Sequence, residues 1–255
     1  MADESKFKIG RSSNPAFKSG IFSRVERREG DGVMTLHGAV NKSAILLAIL
    51  AAGFALTYSP GLTTIEGPSI LLGLGGMVVG LVLSLVIIFK QRTAPYLAPV
   101  YAFAQGLVLG WISGMYETQS QGIAFQAAGL TFGTLAVLLA VYATGMIRPS
   151  ENFKLGLMAA TGGIAVLYLI DIVMMFFDHR VPMIHEASPL GIAFSGVVVV
   201  IAALNLVLDF DFIEQGAAQE APAYMEWYAA FGLMVTLIWL YLEILRLLSK
   251  IRSRD

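Results

Sequence analysis

Residues 189–214 read PLGIAFSGVVVVIAALNLVLDFDFIE, and no residue from Pro189 to Leu208 carries a charge. A bilayer's hydrocarbon core takes about 20 apolar helical residues to cross. Inside it, every backbone N–H and C=O must be paired within the segment or within a closed barrel. The run lacks the apolar–polar alternation of a barrel strand, so it reads as a membrane-spanning helix. Its last turns carry Asp209, Asp211 and Glu214, acids that follow directly on the apolar run.

Working outward, six more apolar stretches of similar length lie at about 43–59, 68–89, 95–115, 121–147, 155–177 and 223–248. Pro60-Gly61, Gly67-Pro68, Arg148-Pro149 and Ser188-Pro189 punctuate the short connections between them. With 56% hydrophobic and only 14% charged residues, the chain cannot cover a soluble surface. A net charge of -1 provides no basic field for nucleic acid. The absence of cysteine removes disulfides, thiolate metal sites and cysteine nucleophiles. The reading is an all-α polytopic membrane protein, a bundle of about seven transmembrane helices. It divides into a tail over 1–42, a transmembrane domain over 43–249 and a short basic tail over 250–255. Residues 1–42 contain no apolar run, so no cleaved signal peptide is expected there.

Orientation follows from basic residues near the ends of the spans. Lys6, Lys8, Arg11, Lys18, Arg24, Arg27, Arg28 and Lys42 precede the first span. Lys90, Arg92, Arg148 and Lys154 flank connections on the same side, whereas the intervening loops carry only Arg180. The N-terminus is therefore expected in the cytoplasm, with the chain in the cell (inner) membrane. Seven crossings put Lys250, Arg252 and Arg254 outside, against the rule, and a re-entrant last segment or six true spans would reverse that. Seven is preferred on length.

Glycine is read as packing. Gly106, Gly110 and Gly114 recur every four residues, as do Gly76 and Gly80, and small residues at that interval let membrane helices approach closely. The stretch GLGGMVVG from Gly73 to Gly80 lies inside an apolar run with no preceding strand, which argues against a dinucleotide loop.

Ionisable groups at membrane depth cost at least a few kcal/mol each and are functional candidates by default. Asp171 lies in LYLIDIVMMFF, Asp209 and Asp211 in LNLVLDFDFIE, and Glu243 in WLYLEILRLL with Arg246 one turn on. Asp209 and Asp211 are about 200° apart on a helix, so one of them faces away from the interior. Interfacial solvation would account for Asp211, an i,i+3 pair with Arg246 for Glu243, and interhelical hydrogen bonding for Asp171. Asp209 has the weakest such explanation. Asp178, His179, His185 and Glu186 form a polar loop whose spacing matches no standard zinc pattern. No nucleophile elbow, HExxH or intramembrane aspartyl-protease pair is present, so no catalytic residues, no cofactor and no enzyme are expected.

Over about residues 40–250 the chain resembles the Bax inhibitor (transmembrane Bax-inhibitor-motif) family, and its bacterial branch in particular. The resemblance is carried by Asp209-Phe210-Asp211-Phe212-Ile213-Glu214 and by LYLEILRLL, with Glu243 where the family usually has Asp. The Ser13–Phe17 stretch SNPAF and the third-span YAFAQGLVLGWIS add to it. Gln105 stands where many relatives carry Glu, and Asp209 and Glu243, 34 residues apart, are more widely separated than the family's two acids.

The resemblance implies a pH-sensitive calcium leak in which acids of the last two helices meet in the pore, here Asp209 and Glu243. Such a pair shares a proton and titrates as a unit, and its deprotonated oxygens suit calcium. On these grounds Asp209 and Glu243 are the expected ion-binding and pH-sensing residues and the expected calcium ligands. Asp171, Asp211 and Arg246 are secondary candidates. A straight last helix would hold Glu243 far from Asp209, which makes Asp171 the alternative partner of Glu243. Expected partners are the lipid bilayer and calcium or other cations. A competing reading is a non-transporting regulator of a membrane protease or quality-control complex; a proton-coupled transporter would call for an internal repeat, and none is evident.

Overall fold

The computed structural model describes residues 32–58 and 68–254. The tail's basic residues from Lys6 to Arg28, the Ser13–Phe17 stretch and the Pro60-Gly61 turn lie outside them. Seven of the helices are long and apolar enough to span a membrane. They are α1 (Leu36–Thr57), α2 (Pro68–Phe89), α3 (Ala94–Gln119), α4 (Ile123–Ala143), α5 (Glu151–Met175), α6 (Pro189–Ala218) and α7 (Met225–Arg252). A single turn, Pro182–His185, interrupts the α5–α6 loop. The one β-bridge among the described residues pairs Val33 with Pro222.

Several helices outrun their apolar runs because polar caps extend them. Helix α1 starts at Leu36, ahead of the run that opens at 43, because the Thr35 hydroxyl accepts from the Gly38 amide. Ser150 caps α5 and Ser188 caps α6 in the same way. Helix α7 continues through Lys250 to Arg252, so this terminal stretch is helix and not a separate tail.

Small residues set the helix spacing. A Cβ on Gly106 would lie 2.1 Å from the Leu50 carbonyl oxygen, and one on Gly53 would lie 2.4 Å from that of Phe103. On the other side of α3, a Cβ on Gly76 would lie 2.6 Å from the Ala104 carbonyl oxygen. Helix α3 is thereby clasped between α1 and α2, as glycine spacing predicts for membrane helices.

Helix α7 is the central element. It packs on α1, α3, α4 and α6, and Met234, Leu240 and Leu245 are fully enclosed. Helix α5 is the opposite case. It packs closely on α6, and only Leu157 and Ile164 of its residues are buried. Its remaining apolar surface, such as Leu169 and Ile170, faces outward, as expected where lipid is the solvent.

Candidate functional site

The candidate acids occupy the seams among α5, α6 and α7, and the structure gives each a different environment. Asp209 is 5% exposed and turns from α6 toward α7. Its hydrogen-bonding partner is the Thr236 side chain, which also lies 3.3 Å from the Gly232 carbonyl oxygen. The second carboxyl oxygen, Oδ2, is buried with no hydrogen-bond partner among the described residues. Buried carboxyl oxygens are ordinarily satisfied, so this one calls for an explanation.

Asp211, a further 200° around α6, points elsewhere. It pairs with Lys154 of α5 at 2.7 Å and accepts from Gln215 at 2.6 Å. Lys154 also reaches Glu151 at 3.3 Å, and the Tyr142 hydroxyl of α4 bonds Glu214. These groups form a charged cluster toward the C-terminal end of α6.

Glu243 is 2% exposed and fully engaged. Tyr168 of α5 donates its hydroxyl proton to Glu243 Oε1 at 2.8 Å. Arg246 lies 3.0 Å from both carboxylate oxygens. Arg246 also donates to the Tyr168 oxygen at 2.7 Å, and its guanidinium sits 5.2 Å from the centre of that ring. Glu243, Arg246 and Tyr168 thus form a closed three-member network that ties α5 to α7. The i,i+3 pairing with Arg246 foreseen from spacing is present, with an interhelical tyrosine added.

Asp171 anchors the loop between α5 and α6. It accepts from the Val181 amide at 2.9 Å and contacts His185 Nε2 at 2.7 Å. Both loop histidines are exposed and hydrogen-bonded: His185 meets Asp171, and His179 contacts the Phe177 carbonyl. One turn beyond Arg246, buried Lys250 donates to the carbonyls of Met183 and Gly191 and to the Ser195 hydroxyl, at 2.9–3.1 Å.

The structure does not bring Asp209 and Glu243 into contact. Asp209 is level with Thr236, and Glu243 lies seven residues further along α7, about 10 Å along the axis. The cause is the unbroken α7 helix, which keeps the two acids in opposite halves of the bundle. Asp171 and Glu243 do come to one region, because Tyr168 lies one turn before Asp171, but each has its own partners. Among the described residues no group of three or more His, Cys, Asp or Glu could hold a metal ion.

Three participants escaped the sequence reading: Thr236, Tyr168 and Lys250. A signal existed. Thr236, Glu243, Arg246 and Lys250 fall at intervals of seven, three and four residues, which is one polar stripe on α7. Tyr168 shares a face of α5 with Asp171 at i,i+3.

This bundle, with its acids in the last two spans, agrees with a comparison against known families. A family model described as Bax inhibitor 1 like matches residues 14–253. No curated protein matches the chain. The match omits only the first thirteen residues and the last two, and the chain belongs to the Bax inhibitor 1 like family.

Proposed function

We propose that the chain is a pH-sensitive cation leak, with calcium as the ion that fits, and that Asp209 and Glu243 act at two levels of one path beside α7. The observation that supports this reading is the buried Asp209 oxygen with no partner among the described residues. A carboxyl that served only as interhelical glue would have both oxygens engaged. Asp209, the Thr236 hydroxyl and the Gly232 carbonyl together supply oxygen donors of the type a hard cation takes.

Glu243 has a different role in this reading. Its charge is matched by Arg246 and its Oε1 accepts from Tyr168, so in this reading it holds the seam between α5 and α7 closed. Arg246 and Lys250 repel a calcium ion in this half of the bundle, so the described conformation corresponds to the closed state. In this reading the charged cluster of Asp211, Glu214 and Lys154 lies at the approach from the other side. Basic residues before the first span favour a cytoplasmic N-terminus in the cell (inner) membrane, with the C-terminus opposite. The path requires no catalytic residue and no bound cofactor.

The test is calcium entry into liposomes containing the purified protein and a trapped indicator, measured at a series of pH values between about 6 and 8. Asp209→Asn should lower the flux and flatten its pH dependence. Equal calcium entry with and without protein at every pH would end this reading in favour of a regulator of a membrane protease or quality-control complex.

A further inference from the structure

Between α1, α3, α4 and α7 lies a cavity of about 220 Å³ on the side of α7 away from Asp209. Its floor is Leu109 of α3 with Leu237 and Ile238 of α7, and its flanks are α1 from Leu47 to Phe54 and α4 at Phe132. Helices α1 and α4 flank it without packing closely on each other, so it opens sideways between them. Ala51 and Phe132 stand at that mouth and are exposed on the lipid-facing surface. Leu109 and Leu237 are buried at the back.

The lining is almost wholly apolar. Its two hydroxyls are already used: Thr131 donates to the Ala127 carbonyl, and Tyr241 bonds Ser113 at 2.6 Å. Water needs two or more polar partners, and apolar cavities of about 150 Å³ stay dry yet take up benzene. The cavity is larger than that. The stretch Leu47–Phe54 runs about 10 Å along α1, so the space is elongated along the helices, the direction in which bilayer chains lie.

We infer that this cavity is a binding site for one acyl chain of a bilayer phospholipid, which enters between α1 and α4. Three observations converge on that occupant: continuity with the lipid-contacting surface, membrane depth, and a lining with no free polar group to hold water or a charged ligand. The headgroup remains outside, where the phospholipid is already anchored. Because Leu237 and Ile238 belong to α7, the chain braces that helix from the side opposite Thr236 and Glu243.

The experiment reconstitutes the full chain in vesicles containing phosphatidylcholine with a diazirine at the middle of one acyl chain, then maps photo-adducts by mass spectrometry. Adducts are expected at Leu109 or Leu237, which the outer lipid cannot reach, in addition to exposed residues such as Leu169. Ala51→Trp closes the mouth and should abolish the floor adducts while those at Leu169 persist. Should that variant fail to accumulate, Phe132→Ala widens the mouth and should raise floor labelling. Adducts confined to lipid-facing residues overturn the inference, as does floor labelling that neither variant changes. Floor labelling by a diazirine fatty acid but not by the phospholipid also overturns it.

Discussion

Replacing Gly110 by alanine adds one methyl group at a close contact of the α1–α3 seam. That methyl would lie 2.3 Å from the Phe54 carbonyl oxygen, 2.3 Å from Thr57 Oγ1 and 3.0 Å from the Tyr58 amide nitrogen. The first two approaches are more than an ångström inside the 3.4 Å at which ordinary contact begins. Two of the three atoms are backbone, so no rotamer change removes the clash and α1 must move off α3. Moving it also strains the bond from the Thr57 hydroxyl to the Leu107 carbonyl, 2.8 Å long in the parent. Overpacking costs about 1–3 kcal/mol, and a weakened interhelical bond adds about 0.6. The better helix propensity of alanine returns about 0.5–1, leaving a net loss of about 1–3 kcal/mol. Gly133→Ala is the control, since nothing lies within 4 Å of its added methyl. Thermal unfolding in detergent should show Gly110→Ala several degrees below the parent and Gly133→Ala at or above it. Equal midpoints for the two variants would refute the close α1–α3 contact and the reasoning built on it.

Asp209→Leu should raise the unfolding midpoint, because it removes a buried carboxyl with an unsatisfied oxygen, at a gain of about 1–3 kcal/mol, while calcium flux falls. A lower midpoint would mark Asp209 as structural. Arg246→Met leaves Glu243 buried without its counter-ion and should cost about 3–5 kcal/mol, whereas adding Glu243→Gln should restore much of it. Additive losses in the double variant would mean that the two side chains are not paired. Asp171→Asn should release the α5–α6 loop, read as faster hydrogen exchange at the Val181 amide with unchanged exchange in α7. Unaltered protection at Val181 would remove Asp171 from that role.

The first helix illustrates how far the sequence could be read. Its apolar run was visible from residue 43, but its start at Leu36 depends on Thr35 and Lys42 meeting Glu226. Thr35 donates its hydroxyl to Glu226 at 2.9 Å and Lys42 pairs with the same carboxylate at 2.9 Å, contacts separated by more than 180 residues. Hydropathy does not encode such a contact. The α3 glycines show the reverse: their four-residue spacing announced a packing face, and the structure identifies the helix that Gly106 and Gly110 meet as α1.

By itself the sequence determined a membrane bundle of seven spans, because lipid leaves no other way to satisfy so many uninterrupted apolar backbones. It also singled out the costly acids, since charge at membrane depth is visible one residue at a time. Their partners were decided only by the tertiary structure. The straight α7 keeps Glu243 about 10 Å along its axis from the level of Asp209. The docking of α5 supplies Tyr168 to Glu243 and leaves Asp209 facing Thr236. A side chain's partner depends on how each helix is rotated and staggered against its neighbours, and those relations arise from glycine contacts and capped ends far apart along the chain.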